Sequence, residues 1–567
     1  MFERFKARKA AKAGMKDQKD RIDGIYKLFE EYRSAYAAEW ERLEDCERMY
    51  RGEHWYGVEA KDNEPQPVTP IIQSTIENVH ADLMDNIPEA IIEAEDPDTD
   101  TRVALVVDAV IKQNHDAASY AKEYWLLAHD ILTGGYMVQE IGYNPVLNNG
   151  LGGAFVRRTS ARTFMADPLV TELQDSRAVF KFASKPIAWM EQHYPEYKGQ
   201  FLPDIAAADT PRDGSITRDD TKNVLLIECW QREFDKATSS YKVHMCKVGG
   251  HKLLEDSRKT KPEGYFKHGE YPFIVTPLYV REGTCLGLGF VDMFKTSQKY
   301  ADKLDQIVLK NAVMASKMKM LVTEGSGFDV DDLRDWSKEV HVGQTLNGIQ
   351  WFPTPPLPAY IIEYIERIRN SIKEESGANE FSRGGTAGGI TAASAVAMLQ
   401  EMSNKRSRTA TRQMHEAFKD AIRMEIEVER EFNELPREVT ITVDGQKERA
   451  AFDSSMLEKT TPKGNTLPIE FSISIKVQKE NRWTSQANNE FILSLVQAGQ
   501  LPMDIALEAM HFDGRDVILS KLQALRQAAP VEAQMPPEQV EAMQAQAAQQ
   551  DMGAALEQIP QPEAALG

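Results

Sequence analysis

A glycine-rich stretch that runs into an apolar helical pattern, GTAGGITAASAVAMLQE at 385–401, has the composition of a phosphate-binding loop. Gly384 and Gly389 have the spacing of a P-loop, but Ile390 and Thr391 follow where that motif needs Lys and then Ser or Thr. The preceding stretch, 359–376, has a helical pattern, whereas a P-loop follows a strand. The pattern argues against a nucleotide site and predicts a flexible connection between two helices.

The residues that catalysis or calcium binding would need are also missing from the sequence motifs. The chain contains no HExxH, no GxSxG and no Cys–His family signature, so we expect no enzyme and no cofactor. The stretch DPDTD begins like a calcium loop, but Thr101 and Val107 replace its Gly and its bidentate Glu. Its three aspartates therefore predict a loop and a helix N-cap, at Asp96, Asp98 and Asp100.

Histidines and cysteines are the remaining candidate ligands. The eleven histidines are scattered, and we interpret four of them as surface or satisfied core residues instead of ligands: His54, His129, His244 and His341. The four cysteines are far apart in the sequence and have neither metal-ligand spacing nor a disulfide pattern. We expect no metal site and a reducing compartment.

Length and charge bound the remaining classes. The 567 residues are enough for about three or four domains, and no apolar run approaches the ~20 residues that span a bilayer. The formal net charge of −20 argues against broad nucleic-acid binding, which needs Lys and Arg. The segment 1–21 is nevertheless basic and lacks the apolar core of a secretory signal, so we expect a solvated arm.

The order of secondary-structure patterns indicates an α+β chain. Helices are predicted at 17–50, 69–86 and, as a pair, 101–133; strand patterns then fill 135–280, apart from a polar linker at 206–221. A small insertion at 318–358 has strand patterns KMLVTE, EVHVG and GIQWFP and a short helix capped by Asp329. A long helix is expected at 392–434, followed by strands, by helices near 486–498 and 502–510, and by an Ala/Gln/Glu/Pro-rich tail.

The helix predicted before this insertion carries a basic stripe. At 100° per residue, five lysines fall within an arc of about 80°: Lys295, Lys299, Lys303, Lys310 and Lys317. An apolar stripe lies beside them, at Phe290, Met293, Tyr300, Leu304, Ile307, Val308 and Ala315. The lysines form either a phosphate-binding surface or an ordinary solvated face. The helix after the insertion has its own apolar arc, at Ile361, Ile362, Ile365, Ile368 and Ile372.

The order of these elements and several short motifs resemble bacteriophage portal proteins. The turn RMYRGEHW is followed by VTPIIQSTIENVHADLMDNIPEAII, which resembles the start of the family's wing. DPLVTELQDSRAVF is similar to its Asp-Pro loop, and GLGFVDMFKTSQKYADKLDQ to its first stem helix. IERIRNSIKEESGANEFSRGG and GITAASAVAMLQE resemble the second stem helix and the far side of the tunnel loop.

This resemblance implies a domain plan. It assigns a basic N-terminal arm (1–20), an α/β wing body (21–287), a first stem helix (288–317), a clip (318–358), a second stem helix (359–378), a tunnel loop (379–393), a long wing helix (394–435), a C-terminal α/β wing and crown region (436–527) and a low-complexity tail (528–567). The loop's implied channel residues are Arg383, Gly384, Gly385, Gly388 and Gly389.

The resemblance also implies the function. It predicts a ring, normally a dodecamer, at the capsid vertex of a tailed phage, assembled in the host cytoplasm. Double-stranded DNA would pass through the ring independently of its sequence, moved by a separate terminase ATPase, and would later leave through the tail. The implied partners are the terminase large subunit, the major capsid and scaffolding proteins and a tail adaptor, with no membrane. The stem lysines would line the channel, so replacing Lys295, Lys299 and Lys303 with Glu should spare the ring and impair packaging or retention.

Two other classes of protein are alternatives to a portal. An enzyme would be monomeric with measurable turnover, and the sequence offers no signature for one. Another phage structural protein, such as a head–tail adaptor or a scaffold, would lack a DNA channel; adaptors are usually much shorter, and scaffolds lack an α/β body. A closed ring with a duplex-wide hole distinguishes a portal from both.

Overall fold

The computed structural model describes most of the chain between residues 2 and 506. The described ranges are 2–60, 64–85, 87–95, 101–203, 222–236, 238–316, 319–335, 337–351, 358–376, 405–433, 435–443, 446–460, 466–476, 492–498 and residue 506. The chain divides into two compact units, Met1–Gln478 and Lys479–Gly567. All elements named below belong to the first unit; in the second, 492–497 is helical. The predicted linker at 206–221, the aspartates at 96–100 and the helix near 502–510 fall outside the described ranges, apart from residue 506.

Helices make up the larger share of the fold. They are α1 (Phe2–Tyr50), α2 (Ile71–Met84), α3 (Thr101–Ala118), α4 (Tyr120–Thr133), α5 (Ile187–His193), α6 (Phe290–Ser316), α7 (Val330–Arg334), α8 (Ala359–Ser376) and α9 (Lys405–Phe432). Short helical turns lie at Leu147–Gly150, Ala161–Thr163, Leu173–Asp175, Pro195–Tyr197, Ser257–Thr260, Leu346–Gly348 and Ser454–Leu457.

The strands form antiparallel sheets. A five-stranded sheet has the order β4 (Phe164–Met165), β5 (Ala178–Pro186), β6 (Asn223–Asp235), β7 (Ser240–Gly249) and β8 (Lys252–Asp256). A three-stranded sheet has the order β3 (Gly153–Thr159), β2 (Tyr136–Asn144) and β9 (Phe273–Pro277). Paired strands are β1 (Glu89–Ala94) with β18 (Phe471–Lys476), β10 (Tyr279–Val280) with β11 (Gly287–Leu288), β12 (Met320–Val322) with β13 (Ile349–Trp351), β14 (Arg437–Val443) with β15 (Gln446–Phe452), and β16 (Glu458–Thr460) with β17 (Thr466–Pro468). This mixture confirms the predicted α+β class.

The core forms where α1 crosses the five-stranded sheet. Aromatic residues recur on α1 every three or four positions, and Phe29 and Tyr32 meet Phe180 of β5 edge to face, with centroids 5.6 and 5.3 Å apart. Phe29 also meets Phe182 at 5.3 Å. Such ring pairs contribute about 0.5–1.5 kcal/mol beyond burial of their area. The sequence pattern therefore fixes which face of α1 the sheet covers.

The insertion between α6 and α8 is a small unit with one sheet. Strands β12 and β13 pair in antiparallel register, and the side chain of Asp329 accepts a hydrogen bond from Asp331 N at the start of α7, as the sequence predicted. The strand predicted for EVHVG is wrong: residues 339–343 form no strand in the structure. Val340 and Val342 are 74% and 78% exposed, since β12 and β13 already pair with each other. A segment with alternating apolar residues forms a β-strand only where a second strand is free to pair with it.

Candidate nucleic-acid interface

Helix α6 starts against the junction between α4 and β2. Gly135 has φ +93°, and a Cβ at this residue would lie 2.3 Å from the carbonyl carbon of Leu288. A Cβ at Gly289 would lie 2.7 Å from Thr133 O. Backbone contact this close requires glycine at both positions. The direction in which α6 leaves the α4–β2 junction is therefore fixed by backbone packing.

The first two lysines of the predicted stripe share one carboxylate on α1. Lys295 Nζ donates to Asp45 Oδ2 at 3.4 Å and to Asp292 Oδ1 at 3.3 Å, and Lys299 Nζ donates to Asp45 Oδ1 at 3.4 Å. Partial burial of Lys295 opposes its charged form, but Asp292 and Asp45 outweigh burial and raise its pKa above the ordinary value. Two of the five lysines are thus paired with a carboxylate of α1 in the same chain.

The remaining lysines differ from one another. Lys310 Nζ donates to Glu64 Oε1 at 2.5 Å. Lys303 is exposed and makes no ion pair with any residue that the structure describes. Lys317 lies outside the described residues. Among the described stripe lysines, Lys303 is therefore the one whose charge no described carboxylate of the same chain offsets.

The apolar stripe of α6 is largely not the face that the subunit buries. Phe290 is buried, but Met293, Tyr300 and Ile307 are 46%, 60% and 48% exposed. The buried face carries Val291, Phe294, Gln298, Ala301 and Asp302 instead. The buried face was hard to predict because two of its members, Gln298 and Asp302, are polar. The sequence does contain a signal for the exposed row, because its apolar residues recur every seven positions, at Met293, Tyr300, Ile307 and Met314.

A buried polar cluster explains why Gln298 and Asp302 face inward. His54 Nδ1 lies 2.5 Å from Asp302 Oδ2, and His54 Nε2 lies 3.0 Å from Met49 O. Gln298 Nε2 donates to Thr69 O at 2.7 Å and to Asp302 Oδ1 at 3.0 Å. Because buried polar groups need partners, this cluster fixes the rotation of α6 about its axis. It also confirms His54 as a satisfied core residue.

The second long helix, α8, is joined to α6 by an ion pair. Arg369 NH2 donates to Asp305 Oδ2 at 2.7 Å, and Asp305 also accepts from Thr69 Oγ1 at 3.1 Å. Ile365 and Ile372 are buried, in agreement with the predicted apolar arc, but Ile362 is 52% exposed. The two helices therefore pack through one face each, and the chain enters the β12–β13 unit after α6 and leaves it before α8.

The predicted loop residues Arg383, Gly384, Gly385, Gly388 and Gly389 lie outside the described residues. Helix α9, which follows them in the chain, is anchored by a buried cluster. Glu429 Oε1 accepts from Asn114 Nδ2 at 2.6 Å and from Ala154 N at 2.7 Å, while Glu429 Oε2 accepts from Arg437 NH2 at 3.2 Å. His115 Nε2 lies 2.8 Å from Glu425 Oε2. These contacts fix the C-terminal part of α9 against α3, β3 and β14.

One cleft is lined by both a cysteine and a histidine. Its volume is about 1210 Å³, and Cys285 and His268 both line it. Burial raises the pKa of the Cys285 thiol to about 11, and burial with Arg232 lowers the pKa of His268 to about 4. A reactive cysteine needs the opposite shifts, toward a thiolate beside a charged imidazole. This pair is therefore not an activated nucleophile.

The other candidate ligands are dispersed. His129 lies 3.6 Å from Glu47 and His341 3.5 Å from Asp332, while His244 is buried beside Ser257. No group of three possible metal ligands occurs among the described residues. Cys229 and Cys246, distant in sequence, face each other across β6 and β7, and burial raises the pKa of the Cys246 thiol to about 12. All four cysteines are free and buried.

Comparison with known families identifies the class that this architecture defines. The family described as Phage P22-like portal protein matches residues 26–566, nearly the whole chain. No curated protein gives a significant match. The described helices include none long and apolar enough to cross a membrane.

The protein therefore belongs to the Phage P22-like portal protein family. Membership implies a structural role in a capsid-associated ring of identical subunits at a virion vertex, and the family is not typically enzymatic. The resemblance stated from the sequence is thus confirmed at the level of the family.

Proposed function

We propose that this portal protein forms a closed ring whose central channel passes double-stranded DNA into the capsid and later out through the tail. The observation that carries this proposal is the family match over residues 26–566, together with a small α/β unit held between two long helices. In this proposal α6 and α8 are the stem, 318–358 is the clip that docks the terminase ATPase, and 379–393 is the tunnel loop. The sheets and α1–α5 form the wing.

The charge distribution supports a channel that releases DNA. The net charge of −20 disfavours tight phosphate binding, whose strength grows with the number of Lys and Arg contacts. In the described part of the stem, Lys295, Lys299 and Lys310 are paired with carboxylates of the same subunit. In our proposal the stripe lysines face the channel and Lys303 supplies most of the uncompensated charge. Such sparse charge guides a duplex without retaining it.

Electron microscopy of the purified protein, with symmetry analysis of end-on views, tests the proposal. We expect closed rings, normally of twelve subunits, with an axial hole wide enough for a DNA duplex. Monomers, or closed particles without a hole, would overturn the channel. Rings too narrow for a duplex would favour an adaptor-like structural role.

A further inference from the structure

Helix α6 carries an apolar stripe that its own subunit leaves uncovered. Met293, Tyr300, Ile307 and Met314 are 46%, 60%, 48% and 51% exposed. They recur every seven residues, the spacing of helices that pack along a shared seam with a left-handed crossing. An exposed row of this kind is typical of a surface that another helix covers.

The stripe lies on the side of α6 that faces away from α8. At 100° per residue, Ile307 is about 160° and Met314 about 180° around the helix from Asp305. Asp305 is the residue that contacts Arg369 of α8. The stripe therefore cannot be covered by the α8 of the same subunit.

Helix α8 has a matching outer face. Tyr360 and Tyr364 are 68% and 51% exposed, and they lie about 180° and 140° around α8 from Arg369. The α6–α8 pair thus presents one apolar row on each of two opposite sides. A ring in which every subunit contacts its neighbour head to tail needs two different surfaces of this kind.

The outer faces of α6 and α8 also match in their position along the helix axes and in their charge. Taking Asp305 as level with Arg369 in helices that run in opposite directions, Met314 lies about 13 Å further along α6 and Tyr360 the same distance along α8. The described, exposed residues of α6 include Lys299 and Lys303 and no carboxylate, whereas those of α8 include Glu363 and Glu366 beside a single cation, Arg367. The two outer faces are complementary in charge as well as in apolar character.

We infer that the α6 stripe of one subunit packs on the Tyr360–Tyr364 face of α8 in the next copy of this chain. This seam rests on the proposed ring. It covers Ile307 and Met314 with the neighbour's tyrosines and places the lysine arc along the edge of the seam. The neighbour's glutamates then offset part of that arc's charge.

Disulfide trapping in mixed rings tests the seam. Subunits with Met314→Cys, carrying a size tag, are assembled with subunits carrying Tyr360→Cys and oxidised with dioxygen and a copper catalyst. The four native cysteines are buried and do not compete. We expect a tagged–untagged dimer on non-reducing gels and no dimer from rings of Met314→Cys alone. The matched control is Ala312→Cys, which is exposed but lies on the side of α6 toward its own α8.

The possible outcomes test the proposed seam and the proposed ring independently. Intact mixed rings without the dimer, or dimers from Met314→Cys alone, would overturn the seam and leave the ring standing. Unsubstituted protein that forms no ring would overturn the proposed function itself. If a cysteine variant does not assemble, amide hydrogen exchange of the unsubstituted ring decides: protection of both 307–316 and 359–364 relative to the free subunit supports the seam, and unchanged exchange in either refutes it.

Discussion

Helices α1 and α6 are both long and amphipathic, yet α1 buries its apolar stripe within the chain whereas α6 leaves an apolar row exposed. On α1, Phe29, Tyr32 and Tyr36 are almost fully buried against the sheets of the same chain. On α6, Tyr300 is 60% exposed and the buried face contains Gln298 and Asp302. The difference indicates that α1 stabilises the fold of one subunit, whereas α6 leaves an apolar row for the seam that we propose.

The spacing of the apolar residues explains this contrast. Aromatics on α1 recur every three or four residues and form a stripe wide enough to cover a sheet. Those of the exposed α6 row recur every seven residues, which gives a narrow seam suited to one partner helix. The width of an apolar stripe thus indicates whether a helix packs on a layer or on a single helix.

The largest expected change in the free energy of unfolding comes from comparing one substitution on α1 with one on α6. Phe29→Ala should destabilise the dissociated subunit by about 3–5 kcal/mol, because a buried ring is replaced by a cavity. Tyr300→Ala should change the same free energy of unfolding by no more than about 0.5 kcal/mol, since its ring is mostly in solvent. Urea unfolding at subunit concentrations too low for assembly measures both. Equal losses for the two variants would mean that α6 buries its stripe within the subunit.

A somewhat smaller loss of stability should follow from disrupting the buried polar cluster on α6. Asp302→Ala removes the acceptor that His54 and Gln298 share, which should cost about 3 kcal/mol, the upper end for leaving a buried hydrogen-bonding group without its partner. Asp302→Asn keeps the shape and part of the hydrogen bonding and should recover some of the loss. Thermal unfolding of the two variants provides the comparison. Wild-type stability in Asp302→Ala would show that the cluster does not orient α6.

The free energy of unfolding should also depend on pH through His268, which lies outside α6. Burial, with a further contribution from Arg232, lowers the pKa of His268 to about 4, against 6.5 when unperturbed. The unfolded chain therefore binds this proton first, so stability is lost as pH falls from about 6.5 toward 4. His268→Gln should show a smaller drop in urea midpoint between pH 7 and pH 5 than the wild type. An unchanged drop would assign the acid sensitivity to other groups.

The contrast between the helices also shows what the sequence could reveal. The helices, most strands, the Asp329 cap and the burial of α1 follow from periodicity and turn residues. The inward face of α6 does not, because Gln298 and Asp302 are buried only through Thr69 and His54, which are about 230 and 248 positions away in the chain. The strand expected at 339–343 fails for the same reason, since pairing depends on a partner that local alternation cannot specify.

The smallest effect on the subunit should come from Lys303→Glu, and this variant refines the triple substitution of Lys295, Lys299 and Lys303. Glu at 295 or 299 would meet Asp45 and disturb the contact between α6 and α1. Lys303 has no ion pair with a described residue, so its replacement should change stability by less than about 0.5 kcal/mol. Lys122→Glu, an exposed lysine on α4, is the charge-matched control.

Rings of Lys303→Glu should bind linear duplex DNA more weakly than wild-type rings, and the dependence of affinity on salt should also become less steep. Each neutralised phosphate adds about 0.9 to the slope of log affinity against log salt concentration, so the fall in slope measures how many phosphates the Lys303 side chains neutralise in the ring. The control should retain the wild-type slope. Equal slopes for Lys303→Glu and the control would place the lysine arc away from the channel, and the seam between α6 and α8 of neighbouring subunits would then be the main role of the exposed side of α6.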